Sequence, residues 1–354
     1  MTGLRLIFIV ACCACGTRPV AEPKAPDRIA IIASERGPQG ARLVVLDERG
    51  DRQFDLIQSA DAVVRDTHPV VSPDGKWIVF ASSRGRSLAE TSLWIARLAA
   101  GAEPVQLTAG TAIDSHPVWT RDGTAIVFAS TRDGGDFDLF RLAIDRGRPR
   151  GQPEQLTHGA GHEVTPAVAA DGSIVYAAIT PQPDGEVDSH LELRAADGTI
   201  TQLTAGPADA SPALSPDDRT LVFARPKQRD SQLDAELWSM PLHAELATQL
   251  VDLPLTDESG PVWSPDGRFV FATSVLRGAA GNAVFSSVIV IDMHARPMKA
   301  RLLQDRAGAI ARLTPAVTRV PLDAGALASD PEYLPELARI ITSAMARQQL
   351  EHNP

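Results

Sequence analysis

Five acidic side chains recur at one fixed distance from a proline along this chain. They stand three residues before Pro69, Pro117, Pro166, Pro212 and Pro261, and they are Asp66, Asp114, Glu163, Asp209 and Glu258. The corresponding position before Pro315 holds Arg312. If the segments that carry these groups surround one axis, the groups form a ring with an excess of negative charge. Such a ring would attract a cation, an amine or a basic peptide.

His68 and His116 stand directly before the first two of these prolines. In a ring they would lie just inside the carboxylates, where imidazoles could add hydrogen bonds or metal ligands. Zinc or manganese would require converging geometry, and we predict no cofactor and no metal. A local role is also open for the acids, since each could accept backbone N–H bonds in the turn that enters its own segment. The two roles are compatible, because a carboxylate bonded through one oxygen still contributes charge.

The residues that could do chemistry belong to repeated segments. The segment from His68 to Gly75 recurs four times, with successive prolines 46 to 49 residues apart, and all copies but one keep the Asp-Gly pair. This period is typical of a four-stranded unit. Each copy predicts an apolar strand that ends at the Asp-Gly turn, a second strand rich in β-branched and aromatic residues, a third strand and a short polar fourth strand. The predicted fourth strands include residues 105–108, 154–157 and 201–204.

This motif resembles the TolB-type family of WD40-like propeller repeats. The resemblance rests on the five copies of the proline and Asp-Gly segment and covers nearly all of residues 27–317, which is the propeller part only. It implies an all-β fold of four-stranded antiparallel blades arranged radially about a channel. The strand that contains the proline would be innermost in each blade.

A sixth blade is predicted from the two ends of this region. Residues 28–37 parallel the second-strand segment of the other copies, without an innermost strand before them, and residues 314–317 repeat residues 165–168 letter for letter. We therefore expect a six-bladed β-propeller over residues 28–317, in which a C-terminal strand completes the first blade and removes an open edge. Residues 318–354 are predicted to form a connector and a short C-terminal helix.

The first residues are typical of a lipoprotein signal peptide, predicted over residues 1–15. An apolar run from Leu4 to Ala11 is far too short to span a bilayer, and the residues leading to Cys12 resemble the bacterial lipobox. We predict lipid attachment at Cys12, with Cys15 as the second choice and an ordinary secretory signal cut near Ala14 as the alternative. Residues 16–27 would form a flexible tether. All three cysteines lie within the predicted signal peptide, residues 1–15, so residues 28–354 contain no disulfide and no thiolate site.

Charge and motifs exclude several function classes. The net charge of −10 disfavours nucleic-acid partners and anionic lipid surfaces, because binding to either requires clustered basic residues. The segment from Gly85 to Ala89 lacks the final glycine of a hydrolase nucleophile elbow. His162 and Glu163 begin like a zinc-protease helix, but the second histidine is missing and Pro166 forbids the helix. We find no catalytic motif and predict that the protein is not an enzyme.

The leading functional hypothesis is a monomeric cell-envelope lipoprotein whose propeller is a non-catalytic scaffold for an envelope protein or peptide. A basic partner would suit the ring, and the lipid anchor would be the only membrane contact. Cys13 is not the aspartate that marks inner-membrane retention in many Gram-negative bacteria, which favours the outer membrane facing the periplasm. Two alternatives stay open. The channel could bind a small molecule or metal, with lyase or hydrolase activity, or the protein could be a structural envelope component without a ligand.

Overall fold

The protein is built of antiparallel β-strands in the computed structural model. The residues that it describes are 29–37, 40–57, 63–99, 101–182, 187–206, 208–229, 232–244, 246–278, 283–296, 298–303 and 311–319. The predicted signal peptide with Cys12, the tether and the C-terminal helix lie outside these residues. Among the residues described, we find no helix that is long and apolar enough to cross a membrane.

The strands follow one another along the chain in groups that correspond to the sequence repeats. The first group comprises β1 (Ile29–Gly37), β2 (Gly40–Leu46) and β3 (Arg52–Asp55). The next two are β4 (Val64–Val71), β5 (Trp77–Ser82), β6 (Ser92–Arg97), β7 (Val105–Gln106), and β8 (Asp114–Trp119), β9 (Ala125–Ser130), β10 (Asp138–Asp145), β11 (Arg148–Gln155). They are followed by β12 (His162–Val168), β13 (Ile174–Pro181), β14 (Val187–Arg194), β15 (Ile200–Gln202), and β16 (Ala210–Leu214), β17 (Thr220–Arg229), β18 (Gln232–Pro241), β19 (Thr248–Gln249). The last strands are β20 (Thr256–Trp263), β21 (Phe269–Arg277), β22 (Ala283–Asp292), β23 (Lys299–Leu303) and β24 (Ala311–Arg319).

These strands pair into four-stranded antiparallel units. The third to sixth sheets are β8–β11, β12–β15, β16–β19 and β20–β23, each with its strands in sequential order. The remaining eight strands form one sheet, in the order β24-β1-β2-β4-β5-β6-β7 with β3 paired to β2. We describe its two antiparallel parts, β24-β1-β2-β3 and β4–β7, as the first and second sheets. A short parallel bridge between Gly40 and Val64 and between Ala41 and Arg65 joins the first and second sheets. The late strand β24 therefore supplies the edge of the first sheet that the early strands lack.

The hydrophobic core lies between the sheets. Five clusters of buried residues each join two sheets that are consecutive in the chain, and a sixth cluster, which contains Ile31 and Phe271, joins the first sheet to the last. The first strands of the sheets make a matching closed series of contacts, in which β24, β4, β8, β12, β16 and β20 each touch the next and β20 touches β24. The sheets are thus arranged in a ring, which is the arrangement expected for a propeller.

The Asp-Gly turns that end most first strands are built by a repeated set of hydrogen bonds. Ser72 donates through its hydroxyl to Asp74 at 2.7 Å and accepts from the backbone N–H of Trp77 at 3.0 Å. Gly75 has a φ of 68°, which glycine adopts without steric cost. The hydrogen bonds from Ser72 and from the N–H of Lys76 hold the pKa of Asp74 at about 2. We call the end of the molecule that carries these turns the turn end.

The fourth strands differ in extent from their sequence predictions. In the third sheet, β11 covers Arg148–Gln155 rather than 154–157, because a two-residue turn at Arg146 and Gly147 folds the chain back directly after β10. Both turn residues have positive φ, 49° and 74°, the pattern of a hairpin turn that matches strand twist. The other fourth strands that we predicted, β7 and β15, have only two and three residues.

Candidate functional site

Every first strand carries a bulge directly before its proline. The six residues there have φ between 46° and 58°, and the strand register shifts around each of them. We call them the inner ring: His68, His116, Thr165, Ser211, Gly260 and Thr314. A left-handed φ costs a residue with a side chain about 1–2 kcal/mol, and a position before proline normally favours extended backbone. Bulges of this kind re-aim side chains and are common beside functional sites.

Three inner-ring residues from neighbouring sheets touch one another. The imidazole rings of His68 and His116 have centroids 4.0 Å apart, and the backbone N–H of His68 donates to Oγ1 of Thr314 at 3.3 Å. Burial lowers the pKa of His116 to about 4 and that of His68 well below its ordinary value. Both imidazoles are therefore neutral at neutral pH and present hydrogen-bonding groups rather than positive charge.

The six residues that stand three before the prolines form a second ring, at the opposite end of the first strands from the turns. We call it the charged ring, and this end of the molecule the ring end. Its members are Asp66, Asp114, Glu163, Asp209, Glu258 and Arg312, which are all between 0% and 7% exposed. Because these groups are buried, their roles depend on their immediate partners.

Three of the ring acids are paired with an arginine from the second strand of their own sheet or from the residues just after it. Arg84 donates to Asp66 through both guanidinium Nη atoms, Arg132 donates to Asp114 at 2.7 Å, and Arg225 donates to Asp209 at 2.7 and 2.8 Å. Burial raises the pKa of Asp66, and the charge of Arg84 opposes that rise. From the sequence we expected five ring carboxylates whose negative charge was balanced only by Arg312. This expectation is wrong for three of them, because each is paired with an arginine of its own sheet.

Aromatic rings hold these arginines in place. Arg84 lies over the rings of Phe80 and Trp94, with 5.4 and 5.9 Å from its guanidinium carbon to the centroids. Arg132 and Arg225 have equivalent aromatic partners on their second and third strands, which are Phe128, Phe140, Phe223 and Trp238. The same unit of acid, arginine and two aromatic rings thus occurs in the second, third and fifth sheets. Cation–π contact adds to the ion pair in fixing each guanidinium.

The ring acids also tie neighbouring sheets together through their backbone. The carbonyl oxygens of Asp66, Asp114 and Asp209 accept hydroxyl hydrogen bonds of 2.6 to 2.7 Å from Ser34, Thr91 and Ser189, each in the preceding sheet. The carboxylates of these three residues accept hydrogen bonds from arginine and serine side chains. The local role expected from the sequence, acceptance of backbone N–H groups in the entering turn, is therefore corrected for these three acids.

Arg312 occupies the charged ring with the charges reversed. It is paired in register with Glu35 on β1, its Nε lies 3.4 Å from Oε2 of Glu35, and its Nη1 donates to the carbonyl of Gly50. The first sheet thus places the cation on the first strand and the acid on the second. This exchange keeps a salt bridge at a seam that joins distant parts of the chain.

Glu163 has no arginine partner among the described residues and faces an acid instead. Asp138, at the start of β10 in the preceding sheet, lies beside it and accepts hydrogen bonds from Gln155 and Thr157. Burial and the neighbouring Asp138 raise the pKa of Glu163 to about 7. The loop before β12 makes room for this side chain through Gly159, where a Cβ would lie 2.0 Å from Oε1 of Glu163. This pair holds a proton near neutral pH.

Glu258 repeats this arrangement between the fifth and sixth sheets. Ser274 on its own second strand donates to it at 2.9 Å, while Glu236 of the preceding sheet and the adjacent Asp257 lie nearby. Burial is the main cause that raises the pKa of Glu258 to about 8, and the nearby negative charges add to the rise. Glu163 and Glu258 are therefore the two ring acids that can be uncharged at neutral pH.

Several polar atoms of the two rings have no hydrogen-bond partner. They are Nδ1 of His68, Oγ1 of Thr165, Oε2 of Glu163, Oε2 of Glu258 and Nη2 of Arg312. A buried polar atom without a partner costs about 1–3 kcal/mol, and native proteins leave few of them. Their concentration on the ring residues marks this region as one with unused capacity to bind polar groups.

The turn end of the ring is crossed by an ion pair. Arg121, in the turn of the third sheet, donates to Asp218 at 2.6 Å and to the carbonyl of Ser215 at 3.0 Å, both in the fifth sheet. Asp218 also accepts the backbone N–H of Ala170 in the fourth sheet. Although the third and fifth sheets are not neighbours, these contacts join them to each other and to the fourth sheet at the turn end.

Sequence reasoning found the ring positions but missed their partners. Arg84, Arg132 and Arg225 follow the phenylalanine of the second strand by four, four and two residues, which is a recurrence visible in the sequence. Asp138 and Glu236 could not be found in this way, because they act across the boundary between sheets. In the described part of the chain, no group of three or more histidine, cysteine and acidic side chains is arranged to hold a metal ion.

A family model for the TolB β-propeller domain matches residues 65–265. The chain belongs to this family. The match begins within β4 and ends beside the turn of the sixth sheet, so it includes the five proline repeats and five positions of the charged ring. No curated protein matched the chain in sequence.

Solved structures share the TolB-type propeller fold at low sequence identity. TolB from Acinetobacter baumannii is 17% identical, with a TM-score of 0.63 over 83% of this chain and 67% of that chain. A putative TolB from Agrobacterium tumefaciens is 20% identical, with a TM-score of 0.55 over 83% and 99% of the two chains. A chain of a nidogen–laminin complex is 11% identical, with a TM-score of 0.58 over 82% and 98%. These similarities establish the fold.

Proposed function

We propose that this TolB-type propeller is a non-catalytic scaffold of the bacterial cell envelope that binds a protein or peptide at its ring end. The observation that carries the proposal is the group of unpartnered polar atoms on the two rings. They include the free oxygens of Glu163 and Glu258, which accept when the carboxyl is ionised and can donate when it is protonated, and a donor on Arg312. A peptide backbone supplies both N–H and C=O groups and is therefore a suitable ligand for such a mixed set.

The difference between the two ends supports the same site. The Arg121–Asp218 contact crosses between the third and fifth sheets at the turn end, whereas the loops after the second strands lie at the ring end. Our proposal includes six blades, with β24 as the innermost strand of the first blade, so that the inner ring has six members. A ring of six closely packed first strands presents one continuous polar surface to a partner.

The envelope location and the lipid anchor are parts of this proposal. Membership in the TolB family supports an envelope protein, and the residues before Cys12 support lipid attachment there. The proposed orientation is at the outer membrane facing the periplasm. The protein acts as a monomer that is held near its partner by the anchor.

Chemical crosslinking in intact cells, followed by mass spectrometry, tests the binding role. Thr165→Val removes an unpartnered ring hydroxyl without changing side-chain size, and Thr201→Val makes the same change at an exposed position of β15. We expect an envelope protein to crosslink to the wild type and to the Thr201 variant, and several-fold less to the Thr165 variant. Equal crosslinking of both variants, or the absence of any partner, would reject the proposal.

A further inference from the structure

An arginine-rich hairpin lies at the turn end of the third sheet. Arg146 is in the turn between β10 and β11, and Arg148 and Arg150 follow on β11; all three are exposed. Within the residues that the structure describes, none of the three forms an ion pair with a carboxylate. We call these residues the arginine hairpin. An unpaired cluster of this kind is unusual in a chain with a net charge of −10.

The hairpin is fixed against the second sheet. Gly147 packs so closely on Trp77 that a Cβ there would lie 2.3 Å from the indole ring. The guanidinium carbon of Arg97 lies 4.1 Å from the centroid of the same ring. Trp77 is thus covered by Gly147 and by Arg97, which adds a fourth exposed cation beside the arginine hairpin. A basic surface that is held rigid in this way loses little conformational freedom on binding.

The four exposed arginines of this surface outnumber the exposed acids on the hairpin strands and in the loop before β7, which are Asp145, Glu154 and Glu103. Asp145 is exposed and paired in register with Arg148, and Glu103 is exposed in the loop before β7. Lys76, next to Trp77, pairs with Asp74 at 3.1 Å. Arg148 and Arg150 lie on one face of β11, because side chains two residues apart in a strand point the same way. Pro149 and Pro153 remove backbone N–H donors from this edge strand, so the side chains rather than the strand edge are available to a partner.

The chain enters the propeller at this same end. Ile29, the first residue of β1, is paired with Arg319 at the end of β24. Thr318 lies beside the Gly75 turn of the second sheet, and Pro73 in that turn lies beside the Gly123 turn of the third. The entry point, these turns and the arginine hairpin therefore share the turn end. If the residues before Ile29 are attached to a membrane, the turn end is the end that they hold toward it.

We propose that the arginine hairpin, with Arg97, docks the propeller on the anionic headgroups of the membrane that anchors it, so that the ring end faces away from the lipid. This inference rests on the lipid anchor in our proposed function and goes beyond it, since the anchor alone leaves the orientation free. Arginine binds phosphate groups in a bidentate manner, and exposed cations next to an anionic lipid surface strengthen membrane attachment. Trp77 is covered, so the contact is electrostatic rather than inserted.

Vesicle flotation of the full chain tests this docking. Cys12→Ser and Cys15→Ser are introduced so that no acyl chain contributes, and vesicles of phosphatidylglycerol and phosphatidylethanolamine are compared with vesicles of phosphatidylcholine. The double variant Arg146→Glu/Arg148→Glu removes the hairpin charge. The matched control is Arg36→Glu/Arg65→Glu, which changes two exposed arginines by the same charge at the ring end. Any insertion of the apolar N-terminal residues is common to all variants.

We expect the parent chain and the ring-end control to bind the anionic vesicles several-fold better than the neutral ones. The hairpin variant should lose at least about 25-fold in affinity for anionic vesicles, because two basic residues that each contribute about a factor of five are removed. Added salt should weaken the binding of the parent chain. Thermal melting checks that both double variants are folded.

Equal binding of the parent chain to the two kinds of vesicle would overturn the inference, as would an equal loss in both double variants. A third result, in which the hairpin variant loses a crosslinked protein but the parent chain shows no preference for anionic vesicles, would assign the hairpin to a protein partner and also overturn it. Failure here is distinguishable from failure of the proposed function, because crosslinks that depend on Thr165 do not require the hairpin.

Discussion

At the scale of single residues, the ring acids differ in what the adjacent strand supplies. Asp66, Asp114 and Asp209 occur where an arginine follows the second strand. Glu163 and Glu258 have no arginine partner among the described residues, since β13 carries no arginine and Arg277 on β21 pairs with Asp257 instead. Both lie beside acids of the preceding sheet. One sequence position therefore has two electrostatic roles, ion pairing within a sheet and proton sharing between sheets.

Removal of Arg84 tests the ring acids that are paired with an arginine. Arg84→Met leaves Asp66 buried without its cation, and breaking a buried pair in this way costs about 3–5 kcal/mol. The control Lys76→Met removes a pair in which both side chains are well exposed, which costs at most about 1 kcal/mol. Urea denaturation measures the difference. Adding Asp66→Asn to Arg84→Met should recover part of the loss, and equal stability of the two single variants would contradict the assignment.

The pH dependence of stability tests the two ring acids with a raised pKa, Glu163 and Glu258. The pKa of Glu258 rises from 4.5 to about 8 on folding, so its contribution to stability is complete below pH 4.5 and is lost as the pH rises through 8. Glu258→Gln keeps a neutral group at all pH values. Since one pKa unit corresponds to about 1.4 kcal/mol, the variant should gain a few kcal/mol over the wild type between pH 5 and 9.

Thermal melts across this pH range measure the gain. Exposed Glu90→Gln is the control for the loss of one surface charge. The stability gained from Glu163→Gln should also increase with pH, and this increase should level off closer to pH 7, near the pKa of Glu163. A constant difference in melting temperature between Glu258→Gln and the wild type at all pH values would show that Glu258 is ionised throughout.

At the scale of strands and turns, the sequence predicts most of the framework. The second strands are visible because β-branched and aromatic residues recur before the same polar residues, and the first strands because proline and Asp-Gly mark both ends. The strand β11 was misjudged because its run of arginine, proline and glycine does not look like a strand. The preceding turn, rather than the intrinsic strand preference of its own residues, places β11 beside β10. Contacts such as Asp138–Glu163 depend on how sheets pack and have no local signature.

Truncation tests the role of β24. A chain that ends after Arg319 keeps this strand, whereas a chain that ends after Ile310 loses it and exposes the edge of β1. Strand β24 also brings Arg312 to Glu35 and Ala316 into the core between the first two sheets. We expect the shorter chain to melt at a clearly lower temperature and less cooperatively than the longer one. Coincident melting curves would show that β24 is dispensable.

At the scale of the whole molecule, the distribution of charge matters more than its sum. The net charge of −10 argues against anionic partners, yet the arginine hairpin presents a local positive surface at the turn end. The acids of the charged ring are buried and largely compensated, so they do not form a negative surface at the ring end. We therefore propose different functions for the two ends: the turn end contacts an anionic surface, and the ring end binds a polar ligand that enters the ring.

Photocrosslinking from the two ends of the propeller tests the central claim most directly. Leu88 lies in the loop after the second strand of the second sheet, at the ring end, and Leu246 lies before β19, at the turn end; both are exposed, by 45% and 83%. A photoreactive residue is placed at either position in the full chain in living cells. We predict that an envelope protein is captured from position 88 and that its capture falls with Thr165→Val. Two results would contradict binding at the ring end: capture from position 246 alone, or capture from position 88 that is equally strong in the wild type and in the Thr165→Val variant.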